Sequence, residues 1–146
     1  KDFFEANGQD VVIPEDIHHE KWLKFMTNTC FNTLTALLEA DYDATGSNRD
    51  MIRAARLIAK EVQSVGRRRG VELTSDDIET MIRNTSMLSG KGRSSMLEDM
   101  LSGRETENRY FAGSVSRMGK LYSIATPYCD LLSILVEAKR YVTTCH

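Results

Sequence analysis

The chain has 146 residues, 19 Lys and Arg against 21 Asp and Glu, a formal net charge of −2 and 41% hydrophobic residues. That is enough to bury one sizeable core and short for two full domains. The slightly acidic balance lacks the concentrated basic surface that phosphate recognition needs, and no apolar run approaches the roughly 20 residues of a membrane span, so neither nucleic acid nor membrane is expected as a partner. Cys30, Cys129 and Cys145 are odd in number and widely spaced, which suits neither a disulfide framework nor a zinc cluster and points to a reduced, cytoplasmic protein. His18 and His19 have no third His or Cys at ligand spacing, and no metal site is expected.

The sequence begins at Lys1, and Gln9-Asp-Val-Val-Ile13 followed by Pro14 reads as a strand and loop. Residues 1–16 are therefore expected to be a linker or remnant of a preceding domain, and 17–146 a helical domain. A first helix is predicted from about His19 to Ala40, followed by the turn-rich Asp41–Asn48. A second, about Arg49 to Arg69, carries Ile52, Leu57, Ile58, Val62 and Val65 at helical spacing and stops at Gly70. The basic run Arg67-Arg68-Arg69 is then a solvated helix end, where cations oppose the dipole. Thr74 or Ser75 caps a third helix with Asp76, Asp77 and Glu79 in its first turn. Ser89-Gly-Lys-Gly-Arg-Ser94 has the composition of a flexible loop. A short helix from Ser95 to Leu101, one from Glu107 to about Leu121 capped by Thr106, and a last one from Pro127 to about Val142 complete an all-α bundle of about six helices, with the first and last central. Gly113 and Gly119 permit close approach of a neighbouring segment.

Lys24, Asn28 and Asn32 stand four residues apart in an otherwise apolar stretch. At about 100° per residue they drift through only about 80° of the helix circumference, so an ammonium and two carboxamides point the same way and can line a site for a small oxygen-rich molecule. A lysine drawn into a cleft is costly to desolvate and suited to proton transfer. A structural role, polar contacts to a neighbouring helix, remains open for this stripe. Ser94-Ser95 and Thr106-Glu107 open two later helices, where they serve as caps or as ligand contacts. The Ser89–Arg93 glycines lack the order of a phosphate-binding loop and any preceding strand.

In order along the chain, W-x-K-F-x-x-N-x-x-x-N-x-L-T-A from Trp22, S-S-M-L-E-D from Ser94, G-R-E-T-E-N from Gly103, Ala112-Gly113 and I-A-T-P-Y from Ile124 resemble the C-terminal domain of the ketopantoate reductase (2-dehydropantoate 2-reductase) family. The resemblance covers about Asp16 to Tyr141. It implies a fold like the helical C-terminal domain of 6-phosphogluconate dehydrogenase, and an N-terminal Rossmann domain that holds most of an NADP(H) cofactor, for which no G-x-G-x-x-G occurs here. It further implies that Lys24 is the catalytic proton donor to a 2-oxo acid, aided by Glu107, and that Asn28, Asn32 and Ser95 bind the substrate. Alone, without the Rossmann domain, the chain is expected to be inactive; a homodimer is possible for the whole enzyme.

Four positions depart from the family's common pattern: Thr33 where proline is frequent, Asn108-Arg109 after T-E, and Ala112 where asparagine is common. Asn108, Arg109 and Ala112 are expected close to the cleft, which leaves the substrate open: ketopantoate, reduced to pantoate in pantothenate biosynthesis, or another small 2-oxo acid. A helical dimerisation module without the reaction is the third reading.

Overall fold

A computed structural model describes residues 16–144 of the chain. The expected strand at Gln9–Ile13, Pro14 and Cys145 lie outside the described residues. Helix α1, Ile17–Thr27, starts where the Asp16 carboxylate accepts from the His18 and His19 backbone N–H groups at 2.9 and 3.0 Å. It runs without a break through a π-helical segment, Asn28–Asn32, into α2, Thr33–Leu38, and stops at Glu39 in the left-handed region, φ 53°. The first rod matches the expectation in extent; the π turn inside it does not follow from apolar spacing.

Asp41–Asn48 is not only turn: Tyr42–Ser47 forms α3, capped by Asp41, whose side chain accepts from the Ala44 N–H at 2.9 Å. Asn48 caps α4, Arg49–Arg68, the longest helix, which turns Met51, Ala55, Ile58, Val62 and Val65 inward and ends before Gly70 at φ 77°. Thr74 and Asp77 close a reciprocal capping box on α5, Ser75–Ser86. Ser94 caps α6, Ser95–Leu101.

The helix expected from Glu107 is broken: a 3₁₀ turn, Glu107–Tyr110, is followed at Phe111 by α7, Ala112–Tyr122. Thr106 precedes that turn but makes no capping bond with its side chain, and its hydroxyl is buried without a partner among the described residues. α7 packs along α8, Pro127–Thr144. A Cβ on Gly119 would stand 2.6 Å from the Thr126 hydroxyl and 2.8 Å from the Ile124 carbonyl oxygen, so the return into α8 does require glycine there.

The core lies around the first rod. Met26, Cys30 and Leu34 meet Ala55, Ile58 and Val62 of α4, Met96 and Met100 of α6, and Cys129, Leu132 and Val136 of α8 in one apolar cluster. Burial pushes both the Cys30 and Cys129 thiols far above their ordinary range, and Cys30 Sγ donates to the Ala55 carbonyl. α8 is central on one face only: Leu131, Ile134, Leu135, Tyr141 and Val142 are exposed on the other.

Candidate active site

Lys24 sits in the last turn of α1, and its side chain is exposed, not desolvated as a lysine drawn into a dry cleft would be. It borders a pocket of about 240 Å³ between α1 and α5, with Glu20, Leu23, Thr27, Asp77 and Asn84 on its walls. No carboxylate pairs with it among the described residues. Asp77 is engaged elsewhere. Burial works against its charge, but the Thr74 N–H and hydroxyl and His19, 3.1 Å away, outweigh that and hold its carboxyl below the usual range.

Asn28 and Asn32 mark the two ends of the π segment and are half-buried. In an α-helix, residues four apart lie about 40° past alignment. An i→i+5 turn takes more residues per revolution, so it brings the two carboxamides back toward one line. Threonines hold the irregular stretch in place. The buried Thr33 hydroxyl donates to the Thr29 carbonyl, and Thr35 Oγ1 donates to the Phe31 carbonyl at 2.7 Å. Thr33, the departure from the common proline, is thus a bonded element of the π turn.

Asn32 lines a second cavity of about 100 Å³ together with Thr35, Thr85 and Ser94, and Thr27 borders both pockets. Ser94 Oγ accepts from the Leu97 N–H at 3.2 Å and shares a hydrogen bond of 2.7 Å with Thr35 Oγ1. That bond ties the start of α6 to α2; Ser95, the first residue of α6, is exposed. The structure therefore brings Asn32 and Ser94 to one cavity wall, while Ser95 is not part of that lining. Sequence reasoning names Ser94, with Ser95, as a cap or a ligand contact but passes over Thr35, because a helical threonine reads as local bonding.

Glu107 is exposed at the head of the 3₁₀ turn and is not ion-paired with Lys24. The end of the turn packs on α1 all the same, the centre of the Phe111 ring lying 6.4 Å from that of Phe25. Asn108 and Ala112 are not cleft residues: both are buried, and Asn108 Nδ2 donates to the Ser133 carbonyl and to Glu137 Oε1, each at 3.0 Å. Arg109 is exposed, its guanidinium 4.7 Å from the centre of the Tyr110 ring.

The glycine-bearing loop before Ser94 is strapped down, contrary to its flexible composition. Tyr42 N–H donates to the Gly92 carbonyl at 3.0 Å, Asp43 N–H to that of Gly90 at 3.2 Å, Gly90 N–H to Asp43 Oδ1 at 2.6 Å and Tyr42 OH to the Arg93 carbonyl at 3.1 Å. Lys91 pairs with Asp41 at 2.9 Å. No group of three or more metal-ligating side chains converges among the described residues, and no described helix is long and apolar enough to cross a membrane.

Residues 16–140 match the family described as ketopantoate reductase PanE/ApbA C terminal. The 2-dehydropantoate 2-reductase of Pyrobaculum aerophilum is 31% identical over 138 residues, 94% of this chain and 49% of that protein. That of Streptococcus pyogenes is 30% identical over 129 residues, 88% of this chain and 42% of that protein. The chain thus spans about half the length of the curated relatives it matches. Among solved structures, the ternary structure of D-mandelate dehydrogenase with NADH and anilino(oxo)acetate superposes with a TM-score of 0.86 at 28% identity, covering 98% of this chain and 60% of that one. A ketopantoate reductase from Ralstonia eutropha, at 24% identity and a TM-score of 0.85 over 98% of this chain and 48% of that one, shares the fold. With one family match over nearly all the described residues and relatives at about 30% identity along most of its length, the chain belongs to the ketopantoate reductase family, in the region of that family's C-terminal domain.

Proposed function

We propose that this chain is the substrate-binding domain, bearing the catalytic lysine, of an NADP(H)-dependent 2-oxo acid reductase, and that its substrate is ketopantoate. The observation that supports the reading is the exposed Lys24 on α1, followed at four-residue steps by Asn28 and Asn32, with Asn32 sharing a cavity wall with Ser94, the residue before Ser95. Ammonium, carboxamides and hydroxyl are the groups that hold a carboxylate and a ketone oxygen. The described residues contain no strand leading into a glycine-rich phosphate cradle, so the cofactor's pyrophosphate belongs on a preceding Rossmann domain, of which residues 1–16 are the linker or remnant.

When bound, the nicotinamide supplies the hydride that reduces the ketone carbon. This chain supplies the proton: the carbonyl electron pair moves to oxygen, the Lys24 ammonium stabilises that charge, an N–H bond of Nζ breaks as its proton passes to the oxygen, and the lysine regains a proton from solvent, to which it is open. Asn28 and Asn32 orient the substrate's oxygens, Ser95 binds its carboxylate or hydroxyl, and Glu107 holds the substrate and orients the lysine. The whole protein is read as a cytoplasmic enzyme and, like the dimeric ketopantoate reductase of Staphylococcus aureus that shares its fold, as a homodimer.

In the whole protein, Lys24→Ala is expected to lower kcat for ketopantoate by about a hundredfold or more, with NADPH binding, followed by its fluorescence, retained. Near-normal turnover sinks the proton-donor assignment. A different 2-oxo acid is the second reading, favoured by the likeness to a D-mandelate dehydrogenase; kcat/KM across a series of 2-oxo acids separates the two.

A further inference from the structure

We propose that the outward face of α8 is the surface on which a second copy of this chain docks, the two α8 helices pairing antiparallel about a twofold axis near Ile134; the inference deepens the homodimer reading above and rests on it. Cys129, Leu132 and Val136 turn one side of α8 into the core. On the other side Tyr128, Leu131, Ile134, Leu135, Tyr141 and Val142 are between 40% and 68% exposed. Tyr128, Leu131, Leu135, Ala138 and Val142 follow one another at steps of three and four residues, the spacing of the apolar seam of a coiled coil, and Ile134 and Tyr141 flank that seam.

The extent of the stripe suits a dimer. At about 200 Å² for a large side chain, six that are each roughly half exposed offer on the order of 600 Å² of surface. Patches of that size mark interaction sites, and with a polar rim this one approaches the roughly 800 Å² per partner of a stable interface. An apolar recess of about 150 Å³ between α4 and α8, with Ala54, Leu57, Leu131 and Leu135 on its walls, borders the stripe and has room for a side chain of the second copy. The charged groups on the same stretch of α8 are engaged within the chain. Lys139 Nζ donates to the Leu37 carbonyl at 2.6 Å and pairs with Glu39 at 3.0 Å, and Glu137 accepts from Asn108 at 3.0 Å and from Arg140 at 3.2 Å. Covering the stripe therefore strands no charge.

The stripe is also complementary to itself. In an antiparallel pair centred near Ile134, Leu131 meets the partner's Leu135, and Tyr128 meets the partner's Ala138, a large side chain opposite a small one. Ile134 then lies beside its own symmetry mate. The preceding cofactor domain has to reach Lys24, which borders the pocket between α1 and α5, whereas the stripe lies on the side of α8 turned away from the first rod. That leaves the stripe open to a second copy.

The test is sedimentation velocity of the whole protein across the micromolar range. The unsubstituted protein should be a dimer. Ile134→Glu sets two carboxylates side by side at the axis and should raise the dissociation constant about a hundredfold or more. Ile134 is 65% exposed, so the variant should keep its fold, which circular dichroism checks; if it does not fold, Tyr141→Glu, at a residue 68% exposed, decides. Tyr128→Glu should also weaken the dimer, and adding Ala138→Lys should recover part of that loss, because the register sets the two positions opposite each other. No recovery overturns the antiparallel pairing. A dimer unmoved by Ile134→Glu overturns the α8 surface and leaves the homodimer reading standing. An unsubstituted protein that stays monomeric throughout the range overturns both.

Discussion

Glu61 lies on the buried face of α4, 6% exposed, and its two carboxylate oxygens accept the backbone N–H groups of Tyr128 and Cys129 at 2.9 and 2.8 Å. These are among the unpaired donors of the first turn of α8, and Pro127 ahead of them has no N–H to offer. The carboxylate also meets the positive end of the helix dipole. Glu61→Ala removes both charge-assisted bonds, each about 1.5–3 kcal/mol, and leaves two buried donors unmet, although it also removes the cost of burying the charge itself. A net loss of about 3 kcal/mol is expected. For a chain of this size that corresponds to a drop in Tm of roughly 6–12 °C. Glu61→Gln keeps one accepting oxygen and turns an amide toward the other donor, so it should lose an intermediate amount. Urea denaturation followed by circular dichroism gives both values. A loss below about 1 kcal/mol for Glu61→Ala, or a Gln variant as stable as the original, refutes the argument that this carboxylate holds the last helix on the core.

Two further predictions concern the site's supports. A Cβ at Gly92 would stand 2.5 Å from the Tyr42 ring, so Gly92→Ala should cost about 1–3 kcal/mol in a thermal melt and, through the loosened strap before Ser94, raise KM for the 2-oxo acid in the whole protein; an unchanged melt contradicts the close approach. Asp77→Asn should cost about 1 kcal/mol at pH 7 by weakening the cap on α5. Because the folded state holds the Asp77 carboxyl below the ordinary 3.8, its contribution is fully present above that value and fades as the pH falls through the lowered one. The difference between the two proteins in urea titrations should therefore close in acid, and a gap that persists there contradicts the capping role.

What could be read from the sequence followed from periodicity and end signals. Asn48, Thr74 and Ser94 are all side chains that accept backbone N–H groups, and each starts a helix where expected. The breaks were less visible. Tyr42–Ser47 is six residues of turn-forming composition that become helical because Asp41 caps them and Gly46 lets them lie against the end of α5. The strap on Ser89–Arg93 depends on Asp41, Tyr42 and Asp43, about fifty residues away, which no local composition reveals. Glu61 in the middle of α4 reads as a solvated helical glutamate until Pro127 arrives beside it. For the proposed site, spacing and resemblance single out Lys24, Asn28, Asn32 and Ser95, but Lys24's exposure could not be read, since burial of a helical lysine depends on what lies across from it. Asn108 and Ala112 mislead for the same reason: they neighbour Glu107 in the chain, but Asn108 bonds to α8 and Ala112 is buried in the core.

The π segment explains how one helix serves both the core and the site. A regular α-helix would let both the apolar set Met26, Cys30 and Leu34 and the polar stripe drift by about 40° with every four residues, carrying Leu34 away from Met26's side and Asn32 away from Lys24's. The wider turn at Asn28–Asn32 absorbs that drift within the stripe itself. It disturbs the regular backbone bonding pattern, and the nearby carbonyls of Thr29, Cys30 and Phe31 receive hydroxyl donors from Thr33 and Thr35. The two threonines are buried, and Thr35 reaches on to Ser94. The same side chains that meet the π turn's carbonyls thus set the distance between the asparagines and the start of α6, so the local irregularity and the spacing across the site come from one set of bonds.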